Sequence, residues 1–137
     1  MNTAENKNEI FPKGEKLSPD YFTGTAHLKM LVSNEEVFNC QIGNVVFEPG
    51  CRNNWHSHPS GQILICTNGE GYYQEKSKVI QLLSKGDVVQ IKPGIIHWHG
   101  ATPDSRFTHI AISPNAEKGI VDWLNPVTDK EYNNFKR

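Results

Sequence analysis

Long apolar runs are missing from this sequence: none of its 137 residues falls in a stretch approaching the roughly 20 that a membrane-spanning helix needs. The opening MNTAENKNEI also lacks the apolar core of a signal peptide, so a cytoplasmic protein with no membrane partner is expected. An excess of either charge is absent too. Lys and Arg number 14 against 15 Asp and Glu, a net charge of −1, which removes the electrostatic footprint that phosphate-backbone binding requires. Nucleic acid is therefore not an expected partner. Cysteine is scarce: Cys40, Cys51 and Cys66 form no CxxC pair, which argues against a disulfide framework and against a thiolate zinc site. A chain this long buries roughly two-thirds of its unfolded surface, enough for one core without staples and too little for two.

What is present is a succession of short runs rich in Val, Ile and aromatics, punctuated by Gly, Pro and Asn about every ten residues. Residues 1–20 stand apart as a polar arm broken by Pro12, Gly14 and Pro19, with little to build a core of its own, so the arm is mobile or lies on another surface. The remainder, 21–137, reads as one all-β domain. Strands are predicted near 25–32, 37–48, 55–58, 62–67, 71–75, 79–83, 87–92, 96–101 and 107–113, with turns at Pro49-Gly50, Asn68-Gly69, Gly86-Asp87 and Pro93-Gly94. No amphipathic helices intervene, which rules out a parallel βαβ sheet and favours a jelly-roll β-barrel. Only the tail reads as helical. Thr128-Asp-Lys-Glu131 has a capping-box pattern and predicts a short C-terminal helix ending near Phe135, and 119–124 predicts one turn.

Six histidines are present, four of them in two His-x-His pairs, His56/His58 and His97/His99. Residues two apart on a strand project from one face, so each pair aims two imidazoles the same way, as a divalent metal requires. Gln62 follows four residues after His58, on the same face if the strand resumes in register, and its amide oxygen is a hard ligand. Four ligands can thus be drawn from two strands. One such pair alone more often serves hydrogen bonding, but two in a small chain, flanked by Trp55 and Trp98 as walls against solvent, favour metal. Arg52 and Arg106 are candidates for the barrel mouth, where they would attract an anion, or else solvated surface. His27, alone on its strand, is read as structural or exposed rather than as a ligand.

These residues carry a resemblance. The stretch Gly50-CRNNW-His56-S-His58-PSG-Gln62-ILICTN-Gly69 resembles the first cupin motif, and Gly86-DVVQIK-Pro93-Gly94-II-His97 the second, with 16 residues between them. Gln62 replaces the usual glutamate and Ala101 the usual asparagine. The segments DYFTGT, VVFEPG, RNNWHSHPSGQ, GDVVQIKPGIIHWHGATP, THIAI and VDWLNPVTDKEY are similar to small bacterial cupins that act as manganese-dependent hydroxynitrile lyases. That resemblance implies metal ligation by His56, His58, Gln62 and His97. It implies catalytic roles beside the metal for His99 and His109, which handle the substrate's proton or leaving group, and for Asn53, where those lyases carry a threonine. Ser113 stands where they carry a glutamine. It further implies one divalent ion, with manganese ahead of iron, nickel or zinc, a small-molecule substrate, and a homodimer or homotetramer.

Three neutral imidazoles and a neutral amide leave such an ion its full charge, which favours Lewis-acid chemistry over redox cycling. The expected activity is lyase-type chemistry on a small oxygen-bearing molecule. The alternatives are a dioxygenase of a chelating substrate and a non-catalytic binding cupin.

Overall fold

The computed structural model describes residues 9–33 and 36–136. Its strands are β1 (Glu15–Lys16), β2 (Phe22–Thr23), β3 (Ala26–Val32), β4 (Cys40–Phe47), β5 (Arg52–Asn53), β6 (His56–Ser57), β7 (Gln62–Glu75), β8 (Gln81–Ser84), β9 (Val88–Ile91), β10 (His97–Ala101), β11 (Phe107–Pro114) and β12 (Asp122–Trp123). One layer runs β1-β3-β4-β11-β7-β9. The other runs β8-β7-β10-β5-β2, with β6 on β10 and β12 on β6, all pairings antiparallel. The sheets curl into a jelly-roll barrel.

Strand β7 belongs to both layers and corrects one expectation. The Asn68-Gly69 dipeptide does not turn the chain; 62–67 and 71–75 are one strand of 14 residues. Near this point the pairing with β11 shifts register between Thr108 and His109, and Gly69 takes φ 75°, so the dipeptide kinks the strand from one sheet to the other. Two further boundaries differ. β4 begins at Cys40 rather than 37, and the stretch expected to form a turn at 119–124 instead contains β12, the 3₁₀ turn lying earlier at Ala116–Lys118.

Alternation along the strands sorts the side chains into two cores. Inside the barrel, Phe47, Leu64, Cys66, Tyr73, Ile91 and Phe107 pack together, burial worth roughly 1.5–3 kcal/mol for each large side chain. Outside the second sheet, Tyr72, Ile80, Trp98, Val127 and Tyr132 form another cluster, roofed by the C-terminal segment. That segment ends in α1 (Asp129–Tyr132), with the expected capping box in place between Thr128 and Glu131. Arg52 anchors it from below. Its guanidinium donates to Asp129 Oδ1 at 2.7 Å and to the Val127 carbonyl at 2.9 Å, and lies 4.6 Å from the Tyr132 ring centre.

Residues 1–8 of the polar arm lie outside the described residues. From Glu9 onward the arm runs over the chain's own barrel: β1 pairs with β3, Leu17 packs against the core, and Glu9 Oε1 accepts from the Thr108 hydroxyl at 2.6 Å.

Gly69 generates a test of the continuous β7. A Cβ built there would collide with the Arg106 carbonyl oxygen, on a backbone that L-residues avoid. Gly69→Ala should cost about 3 kcal/mol and lower the melting temperature by about 10 °C. Unchanged melting of the folded variant would contradict this path for the chain.

Candidate metal centre and cavity

Strand periodicity carries His97 and His99 on one face of β10, and Trp98 between them on the other. Antiparallel pairing sets His97 opposite His56 of β6, and their ring centres are 4.2 Å apart. His58, just beyond β6, stands 4.9 Å from His56 and 5.2 Å from His97. His56, His97 and His99, all buried, bring one ring nitrogen each within 4.8 Å of one another, a group that could hold a metal ion.

Backbone carbonyls orient three of these rings. Nδ1–H of His56 donates to Asn54 at 2.7 Å, that of His58 to Ile120 at 2.7 Å and that of His97 to Ile95 at 2.9 Å. A carbonyl only accepts, so each Nδ1 carries the proton and each Nε2 carries a lone pair. His58 Nε2 and His97 Nε2 are buried with no hydrogen-bond partner, and so is Gln62 Oε1. Buried acceptors without donors are costly unless something positive satisfies them. This donor set fits a divalent cation.

Burial keeps the cluster neutral. Desolvation, followed by the neighbouring imidazoles, holds His56 and His99 well below the ordinary histidine range. Burial takes His97 down to about 4 and lowers His58 as well, against the pull of the Ile120 carbonyl.

His99, 5.7 Å from the His56 ring, also meets His109 at 4.8 Å, edge to face. Asn53 on β5 braces His99 by accepting its backbone N–H at 2.9 Å, and its Nδ2 lies 3.2 Å from Nε2 of the ring. His109 is fully buried between Phe47 and Phe107 with both ring nitrogens unpartnered, and burial alone takes it down to about 3.

The cluster closes one side of a cavity of about 290 Å³ whose other walls are apolar, among them Phe22, Leu28, Val45, Phe47, Ile120 and Trp123. The site residues expected from the sequence are thus brought together: Asn53, His56, His58, Gln62, His99 and His109 line this cavity, with His97 against them. His27 stays apart on β3. Other expectations are corrected. No Lys, Arg, Asp or Glu is among the described residues lining the cavity. Arg52 is buried on Asp129 and Arg106 is paired with Glu48 at 3.0 Å, each held by a carboxylate instead of guarding a mouth. Trp55 and Trp98 do not wall the cavity, because both pack in the outer cluster. Trp123 takes that place, 5.0 Å from the His56 ring and stacked at 4.6 Å on Tyr21. Its two-residue strand is too short for a pattern to reveal.

Residues 43–112 match the cupin domain family. Over 113 residues, 82% of this chain and 86% of the relative, the sequence is 42% identical to an (R)-mandelonitrile lyase of Granulicella tundricola. A solved cupin-like protein of Thermotoga maritima is 54% identical with a TM-score of 0.88, covering 90% of this chain and 94% of that one. A cupin 2 conserved barrel domain protein of Salinispora arenicola, 22% identical, shares the fold at a TM-score of 0.59 over 68% of this chain and 78% of that one. The chain belongs to the cupin family.

The buried imidazoles make the metal-free fold acid-sensitive. Their folded pKa values lie below the 6.5 of a free histidine, so between about pH 6.5 and 4 the unfolded chain binds more protons than the folded one. Stability is therefore full above pH 6.5 and falls as the pH drops through this window. Melting of chelator-treated protein should decline steadily from pH 7 to 4.5; a flat profile would contradict the neutral cluster.

Proposed function

We propose that this cupin is a metal-dependent enzyme of the lyase type, acting on a small molecule with a hydroxyl or carbonyl oxygen, with hydroxynitrile cleavage as its sharpest form. The observation that carries the reading is the uncharged donor set, three carbonyl-anchored imidazoles and an amide, facing two more neutral imidazoles in an apolar cavity. The likeness to a relative named (R)-mandelonitrile lyase supports it. His56, His58, His97 and Gln62 would hold one divalent ion, manganese by preference. We place His58 rather than His99 among the ligands because its Nδ1 is tied to a carbonyl and its Nε2 is left unpartnered, whereas Asn53 engages the His99 ring. When bound, the ion supplies Lewis-acid polarisation of a substrate oxygen.

The chain's own groups do the rest. The apolar walls exclude water and hold the substrate body against the histidines. His99, neutral at working pH, takes the hydroxyl proton on its unprotonated ring nitrogen, which gives up the hydrogen bond it accepts from Asn53 Nδ2, while Asn53 Oδ1 keeps hold of the His99 backbone N–H. As the C–C bond breaks, its electron pair leaves on cyanide and a carbonyl remains. His109, neutral to about pH 3, offers an N–H to the departing anion, and the proton held on His99 passes to it.

Metal analysis of purified protein and a screen of hydroxynitriles, diketones and carbonyl compounds, with oxygen monitored, test the reading. Gln62→Glu adds a negative charge among the donors and should keep the metal while lowering turnover about tenfold or more. Faster turnover with oxygen uptake would move the assignment to a dioxygenase, and a ligand bound tightly but returned unchanged would favour a binding cupin.

For assembly we propose a homodimer or homotetramer, and for location the cytoplasm. Ile63 and Ile65 on β7 pair with Ile112 and Ile110 on β11, alternating with inward-facing neighbours, which leaves an isoleucine patch on the outer face. Sedimentation at micromolar concentration should report at least a dimer; a stable monomer would contradict it.

A further inference from the structure

Gln62 is the one proposed ligand that two orientations of its side chain make ambiguous, since an amide turned over presents N–H where it had presented oxygen. A residue outside the ligand set faces it. Ser113, on β11 and 5% exposed, lies 3.3 Å from Gln62 Nε2, which donates to its hydroxyl oxygen. The opposite end of the same amide, Oε1, is buried without a partner on the wall of the cavity that His58 also lines. We infer that Ser113 is a positioning residue for metal uptake: it accepts from Nε2 and so keeps Oε1 turned to the histidine lone pairs. This rests on the ligand set proposed above.

The physical case is the cost of the orientation observed. Gln62 Oε1 and His58 Nε2, both buried and unpartnered on the wall of one cavity, are both acceptors, and a cation is what satisfies the two together. The turned-over amide would instead donate N–H to that nitrogen, a hydrogen bond that an incoming ion would have to break. The Nε2 hydrogens must therefore find their acceptor elsewhere, and Ser113 Oγ is the partner within reach. With alanine at 113 they have none, and the amide gains by turning over. A carboxylate at position 62 has no such ambiguity, because its two oxygens are equivalent.

The test is a titration of chelator-treated protein with Mn²⁺, followed by calorimetry, on wild type, Ser113→Ala, Ser113→Thr, Gln62→Glu and the double variant Ser113→Ala/Gln62→Glu, each first shown to melt cooperatively. Ser113→Ala should weaken Mn²⁺ binding by about tenfold or more, the range usual for groups that orient metal ligands. Ser113→Thr, which keeps the hydroxyl, should bind within about threefold of wild type, and Ser113→Ala should cost less than about threefold when made on top of Gln62→Glu. An equal loss from Ser113→Ala with and without Gln62→Glu, or no loss from Ser113→Ala alone, would overturn the positioning role while leaving the metal centre intact. Failure of wild type to bind Mn²⁺ at all would overturn both.

Discussion

Three backbone carbonyls, those of Asn54, Ile95 and Ile120, decide what the histidine cluster can do. Each takes the Nδ1 proton of one imidazole, and so each fixes which nitrogen is left as a lone pair and where it points. Buried imidazoles without such anchors would turn to donate to one another. Because the anchors are main-chain atoms, the arrangement depends on how the chain is threaded: Asn54 precedes β6, Ile95 precedes β10, and Ile120 enters from the C-terminal segment, which then pairs as β12 with β6.

Neutrality follows from that burial and sets the chemistry. No carboxylate stands among the proposed ligands, and none of the described side chains lining the cavity carries a full charge. In so apolar a space a bound cation would keep most of its field, and the two further imidazoles, His99 and His109, would stay neutral at working pH. Proton acceptance and stabilisation of a leaving anion become available within one small volume. The same barrel with a glutamate at position 62 would shift the balance toward oxidation-state changes.

The barrel and the histidine pairs were legible in the sequence because both depend on the two-residue period of a strand, which is written in side chains. Asn68-Gly69 misled because a left-handed glycine serves a strand kink as readily as a turn, and only the crowding against Arg106 tells the two apart. Arg52 was open between the barrel mouth and solvated surface, and it is neither: neighbouring residues on a strand face opposite sides, so it turns away from Asn53, and its guanidinium meets Asp129, which is 77 residues away in sequence. The Ile120 carbonyl was out of reach, since a backbone oxygen leaves no mark on residue type. Trp123 was hidden by the brevity of its strand, and Ser113 because its relation to Gln62 crosses strands.

The central claim is that His56, His58, His97 and Gln62 form one metal site and leave His99 to the substrate. Crystals of the manganese-loaded protein, measured for anomalous scattering at the manganese edge, address it directly. The account predicts a single peak bonded to the three Nε2 atoms and to Gln62 Oε1, with His99 unbonded. A peak held by His56, His97 and His99, with His58 still unpartnered, would contradict it.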